Sequence, residues 1–388
     1  MKKKNLIDFG HYPFFIGVRS KKNFLNIPTT LPFKISIDKE TTLATLQINN
    51  QIKIALKKAY DAGSMLSTPL GKGKLGNYRM NEFLDSLKKE IKEIKGKKIL
   101  ELGSGEGQLL VALKKLGAKV EGIEIGPQRK KVQKAHGIKV YGKPLEKINF
   151  KKNSFDAIIS YGCLEHIINI KKTLLESTRI LKERGVFFHS VPNTDNTLKK
   201  TRFDDLCHQH VNYFTSKNVK ILLSKYSFVN IKTVPTKAGN EFYIIAEQSK
   251  KKSRNKIVKN YQIKNAYYEW KLFLKRLYKN KKYFKKNISK LIEQKKSKVG
   301  FYGGGHIILQ ISQMQDKVYY FDSDKKKHEL SWLPGFPVIN SPKKLKNLSV
   351  NYLFIAPEHH IKIISKSLLK NTNLKKNKIL PISNLYKK

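Results

Sequence analysis

The sequence predicts an α/β protein: a doubly wound, mostly parallel sheet, followed by a second and smaller α/β unit. Between Lys97 and about Gln248, short apolar runs alternate with stretches of helical periodicity, as in a sheet covered by helices on both faces. One run ends in three alternating glycines, "ELGSGEGQLL", and leads into a helix. From Lys298 a shorter alternation begins with "KVGFYGGGH".

Taken in order, residues 1–90 read as a small N-terminal lobe of short apolar runs and turn residues. It ends in a Gly-, Ser- and Pro-rich loop and a helix, "RMNEFLDSLKKEI", with Met80, Phe83, Leu84, Leu87 and Ile91 on one face. Residues 91–250 form the main domain. Its strands are "KKILELG", "KVEGIEI", "GIKVYG", "FDAIISYG" and "GVFFHSVP", with "NIKTVPTK" and "EFYIIAEQ" as a closing antiparallel pair. Residues 251–296 read as a basic bridging helix whose apolar stripe runs through Tyr268, Trp270, Phe273, Leu274, Leu277, Tyr278 and Phe284. Residues 297–388 form the C-terminal unit, with "KVYYFDSD" and "VNYLFIAP" as further strands.

Composition narrows the function classes. The 388 residues suffice for two or three cores, and 40% hydrophobic content excludes global disorder. The net charge is +50, but only eight of the 79 basic residues are Arg, and Lys is spread through nearly every element. That distribution favours a solvated Lys-rich surface over a dedicated nucleic-acid reader, which leans on Arg; a polyanion partner remains the alternative. Two cysteines, Cys163 and Cys207, supply neither a disulfide framework nor a four-thiolate zinc site. With no signal-like or membrane-length apolar run, a reducing, cytoplasmic setting is expected.

The glycine loop carries the strongest chemical signal. Its strand ends at Glu101, and Gly103, Gly105 and Gly107 let the backbone turn sharply and approach a ligand without a Cβ in the way. The third glycine follows the second by two residues, unlike the Gly-x-Gly-x-x-Gly of nicotinamide sites. Glu124 closes the next strand 17 residues after Gly107, where a carboxylate can accept both ribose hydroxyls.

These residues resemble the class I S-adenosylmethionine-dependent methyltransferases, with their acid-x-Gly-x-Gly-x-Gly loop and second-strand acid. The resemblance implies a Rossmann-like domain holding S-adenosylmethionine through Glu101, Gly103, Ser104, Gly105, Gly107 and Glu124. It places Leu145 and Glu146 ("KPLEKINF") near adenine, and Ser160, Tyr161 and Gly162 near the methionine end. In "YGCLEHI", Cys163 reads as a small packed hydrophobe, while Glu165 and His166 read equally as cofactor-orienting groups or helix caps.

The whole arrangement, including "FDDLCHQHVNYF", "YGGGH", "FDSD" and "LPGFPV", is similar to the three-domain sugar-nucleotide C-methyltransferases. That resemblance implies a C-terminal Rossmann-like domain on the substrate side. The second glycine cluster, Gly303, Gly304, Gly305 and His306, would hold a phosphate or other anion there, against the alternative of tight turns without a ligand. It also implies a catalytic motif in which Phe203, Asp204, His208, His210, Tyr213 and Phe214 match; His210 would be the base, with His208 and Tyr213 beside it. Cys207 stands where the family has Tyr, and Gln209 where it has Glu. The family's N-terminal zinc cysteines are absent from "LIDFGHYPFF" and "LPFKISIDKETTLATLQ", so zinc is not expected and a lobe held by packing is.

Taken alone, the motif leaves His210 open as a base or as a hydrogen-bonded structural histidine. Were the segment extended, His208 and His210 would share one face and Cys207 the other, with no convincing third metal ligand nearby; Asp204 or Asp205 could coordinate only if the loop curled. Three functions follow: a methyltransferase acting on a sugar nucleotide or related glycan precursor, an RNA methyltransferase using the Lys surface, and a non-catalytic binding protein of the same fold.

Overall fold

A computed structural model describes residues 6–15, 17–20, 26, 28–63, 70–71, 73–202, 205–250, 257–294, 296–303, 318–358, 361–369 and 372–386. Its contacts divide the chain into two compact units, one from residues 1–10 and 32–271, the other from residues 11–31 and 272–388.

The first unit is organised by a seven-stranded sheet: β1 (Lys98–Leu102), β2 (Lys119–Ile123), β3 (Val140–Tyr141), β4 (Phe155–Tyr161), β5 (Leu181–Pro192), β6 (Phe228–Pro235) and β7 (Glu241–Gln248). The spatial order is β6-β7-β5-β4-β1-β2-β3. β1 to β5 pair in parallel, while β7 runs antiparallel to both β5 and β6. Each apolar run expected between Lys97 and Gln248 contributes a strand, because residues buried on both faces leave little polar alternation. Leu100, Leu102, Ile158, Phe187 and Val191 face one core, and Ile99, Ala157, Ile159, Phe188 and Tyr243 face the other. Helix α1 (Gly73–Ile91) covers the second face with Phe83, Leu84, Leu87 and Ile91, as its periodicity requires.

Strand order reverses at β1, whose neighbours are β2 and β4. The crevice beyond the carboxyl ends of the strands opens at such a point. The N-terminal lobe adds a four-stranded sheet of Leu6–Pro13, Thr30–Ile37, Ala44–Leu46 and Asn212–Tyr213, in that order. Its last strand comes from the histidine segment, through Ala44 paired to Tyr213 and Thr45 to Asn212.

The second unit holds a five-stranded parallel sheet, ordered Ile339–Asn340, Val318–Phe321, Val299–Tyr302, Tyr352–Ile355 and Ile379–Pro381. The helix Asn260–Ser289 carries residues of both units. Trp270, Phe273, Leu277 and Phe284 are buried along its stripe, whereas Tyr268 and Tyr278, expected in that stripe, are 65% and 51% exposed. Two and eight residues from Trp270, they turn away from its face at 100° per residue. Among the described residues no helix is long and apolar enough to cross a membrane.

Phe83 packs edge-on against Tyr161, Phe188 and Tyr243, at centroid distances of 5.8, 4.9 and 5.8 Å. Phe83→Ala is expected to destabilise the first unit by about 3–5 kcal/mol, since a fully buried ring leaves a cavity; denaturant unfolding followed by Tyr and Trp fluorescence measures this.

Candidate functional site

The glycine loop joins β1 to helix α2 (Gln108–Lys115), with Gly103, Gly105 and Gly107 at φ of +68°, +53° and +77°. A Cβ at Gly107 would lie 2.5 Å from Val132 Cγ1, and one at Gly103 2.7 Å from Cys163 Sγ, so both positions require glycine for space as well as for φ. At Gly105 an added Cβ meets nothing within 4 Å, so the loop's middle faces open space. Glu124 holds the loop: its Oε2 accepts from Gly105 N–H at 2.8 Å and its Oε1 from Gly126 N–H at 2.6 Å. Each oxygen keeps further lone-pair capacity for ribose hydroxyls.

Glu101 is buried, and its Oε2 has no hydrogen-bond partner. Burial, with the Glu124 charge added, pushes its carboxyl up to about 8. An unsatisfied buried carboxyl beside an open glycine turn suits a ligand that brings a cationic donor. The residues therefore fit the adenosyl cofactor that the resemblance implies. Leu145 is buried in the short turn Leu145–Lys147, with Glu146 half-buried beside it.

At the end of β4 the expected methionine-side residues separate. The Ser160 hydroxyl is turned inward to His189 Nδ1, at 2.6 Å. The Tyr161 hydroxyl accepts from Arg79 Nε at 2.7 Å and donates to Glu241, which also pairs with the Arg79 guanidinium. Burial, reinforced by Glu241, pushes the Tyr161 phenol well up, so it stays a neutral donor. Gly162 follows at φ +61°.

The histidine segment folds as a turn rather than an extended strand: His210 N–H donates to the Cys207 carbonyl at 3.0 Å. His208 therefore does not share a face with His210. It is buried edge-on against Phe33, with centroids 5.1 Å apart. Tyr213 is likewise a packing residue, buried on Trp270 at 5.0 Å. Of the three expected catalytic side chains, His210 alone is placed among titratable groups of the loop after β4. Phe203 and Asp204 lie outside the described residues, as do Gly304, Gly305 and His306; Gly303 has φ +69°.

What the segment alone lacks comes from the turn after β4. Glu165, His166 and His210 each offer a ligand-capable atom within 4.8 Å of the others. His166 Nε2 lies 3.8 Å from Glu165 Oε1, and the two imidazole rings are 5.0 Å apart. His166 Nδ1 is 2.8 Å from the Gln209 carbonyl, and His210 Nδ1 is 2.8 Å from the Asp205 carbonyl. A carbonyl can only accept, so each Nδ1 carries a proton, and any change of protonation is confined to Nε2. Tyr60 brings its hydroxyl to 3.5 Å from His166 Nδ1. Sequence reasoning missed Tyr60, Arg79 and Glu241. Tyr60 lies in the last turn of the amphipathic helix Asn50–Asp61, Arg79 within α1 and Glu241 at the start of β7, without spacing that links any of them to the motif.

Burial opposes charge on His210, yet Cys207, Glu165 and Asp205 together push it up to about 10. Burial pushes Glu165 up to about 7 against the opposing pull of His210, and burial plus the His210 charge pushes His166 down to about 3. The cluster thus holds a proton on His210, beside a neutral His166 and a carboxyl poised near neutrality.

Residues 76–233 match the family model described as a methyltransferase domain. The ubiquinone biosynthesis O-methyltransferase of Pelagibacter ubique is 31% identical over 121 residues, which is 29% of this chain and 48% of that protein. The C-methyltransferase NovU of Streptomyces niveus is 22% identical over 247 residues, 61% of this chain and 56% of its own length. The chain spans about half the length of the curated relatives it matches. Among solved structures, the 1,6-didemethyltoxoflavin-N1-methyltransferase of Burkholderia thailandensis is similar over 56% of this chain and 96% of its own, at 16% identity and a TM-score of 0.40.

The loop geometry separates two glycines by experiment. Gly107→Ala is expected to lower thermal stability through its clash with Val132. Gly105→Ala is expected to cost only the roughly 1–2 kcal/mol of a left-handed alanine, yet to weaken S-adenosylhomocysteine binding measured by calorimetry.

Proposed function

We propose that the chain is a class I methyltransferase that uses S-adenosylmethionine, supported by the match of residues 76–233 to a methyltransferase-domain family, and that it methylates a sugar nucleotide or related glycan precursor, with His210 taking the acceptor proton. The observation that carries this reading is the Glu165–His166–His210 cluster, built on the turn after β4 beside the cofactor loop. The likeness to a C-methyltransferase over 61% of the chain supports carbon as the methylated atom.

Bound at the glycine loop, the cofactor supplies an electrophilic methyl group on a sulfonium. Glu124 and Glu101 would receive its ribose hydroxyls and its ammonium. His210 Nδ1–H is committed to the Asp205 carbonyl, so Nε2 would be the nitrogen that takes the acceptor proton. A carbon next to a ketone must lose a proton before or as it attacks, and a positioned imidazole contributes roughly 10²–10⁴-fold to such a transfer. Glu165 steadies the imidazolium that forms, the part a carboxylate at position 209 would otherwise play. The second unit, with its glycine turn at Gly303 and Asp322 closing Val318–Phe321, would bind the nucleotide portion.

Methyl-labelled S-adenosylmethionine incubated with pooled sugar nucleotides should yield one product heavier by one methyl. His210→Ala should lower its formation about 10²–10⁴-fold and abolish exchange of the acceptor's α-hydrogen in heavy water. Full exchange in that variant removes His210 as base, and no labelled sugar nucleotide removes the substrate class.

The charge balance gives a pH prediction for chelator-treated protein. His210 faces Cys207, Glu165, Asp205 and His166, and its raised value puts the rising limb of turnover on the alkaline side. Glu165→Gln removes a group that favours the imidazolium, so His210 loses its proton at lower pH. The limb should move toward acid by about one to two pH units; a pH–rate profile of both proteins checks the sign.

A further inference from the structure

We infer that Glu165, His166 and His210 form a binding site for a zinc-class divalent cation, and that an ion there occupies the nitrogen through which His210 would act as a base. The inference rests on the acceptor-side reading of His210 for its consequence, but not for the site itself. Three features carry the site. The ligand-capable atoms of the three residues lie within 4.8 Å of one another, close enough for small side-chain rotations to bring them to the roughly 2.0–2.2 Å bonds of a zinc centre. Both imidazoles have their Nδ1–H groups tied to backbone carbonyls of Gln209 and Asp205 at 2.8 Å, which leaves Nε2 as the ligating nitrogen and is the outer hydrogen bonding that orients metal-ligating histidines. Glu165 is 3% exposed, and its Oε2 has no hydrogen-bond partner.

The donor set selects the ion. Two imidazoles and one carboxylate suit zinc and its neighbours in the transition series rather than magnesium or calcium, which take oxygen ligands. His166 and His210 are only half-buried, so an ion can enter from the cleft. Coordination uses the last free nitrogen of His210: Nδ1–H stays on the Asp205 carbonyl, Nε2 gives its lone pair to the ion, and the Nε2 proton leaves to solvent. Bound cation and base action at His210 are then mutually exclusive.

The test uses the full-length, chelator-treated protein with Zn²⁺ and with Co²⁺ as a spectroscopic stand-in. One equivalent should bind, with the intense visible bands of four-coordinate cobalt. His166→Ala, and independently Glu165→Gln, should weaken binding on the order of 100-fold while both variants keep the parent's unfolding temperature within a few degrees. Turnover should fall in proportion to occupancy and return on adding chelator. Absence of stoichiometric binding, binding unchanged in both variants, or full turnover with the ion bound overturns the inference. The two readings fail separately: a protein that methylates its acceptor but binds no zinc loses only this site, and one that binds zinc at these residues but methylates nothing loses only the proposed reaction.

Discussion

The site depends on one clamp, the docking of residues 207–212 onto the turn that follows β4. Val211 N–H donates to the Glu165 carbonyl at 2.6 Å, and the Asn212 side-chain amide donates to the carbonyls of Leu164 and Ile167 at 3.0 and 2.7 Å. His166 closes it by donating from Nδ1 to Gln209. These bonds satisfy carbonyls that a tight turn would otherwise bury unpaired. They also bring His210 to Glu165, and the same segment then pairs with Ala44–Leu46 to join the lobe's sheet. A single hydrogen-bonded seam thus connects strand end, histidine segment and N-terminal lobe.

Two carboxylates do comparable work on the cofactor side. Glu124 fixes the loop by bonding two backbone amides, and Glu101 waits beneath it with an oxygen unsatisfied. Burial, with the Glu124 charge added, raises Glu101, so its carboxyl tends to hold a proton. The Arg79–Tyr161–Glu241 network lies on the other face of β4 from the Ser160–His189 bond, which follows from the two-residue alternation of a strand.

Much of the first unit was legible because its signals are local. Strands buried on both faces read as apolar runs, and left-handed turns of close approach admit glycine almost alone. His210, Glu165 and His166 each stood out in the sequence, but their pairing did not: His166 and the Gln209 carbonyl meet across 43 residues, a contact no spacing rule encodes. The assumption of an extended segment failed at the Cys207–His210 turn, which sends His208 to Phe33 and leaves Tyr213 for Trp270. Ser160 shows the same limit, since strand alternation gives it an inward face that a motif match does not register.

The central claim is that His210 is held charged between Glu165 and the Asp205 carbonyl, with His166 neutral beside it. Long-range proton–nitrogen NMR of ¹⁵N-histidine-labelled, chelator-treated protein tests this most directly. The account predicts that at neutral pH His210 shows both ring nitrogens protonated, while His166 shows Nδ1–H with Nε2 bare. Two rings titrating together near the ordinary histidine value, or a His166 protonated on Nε2, would contradict it.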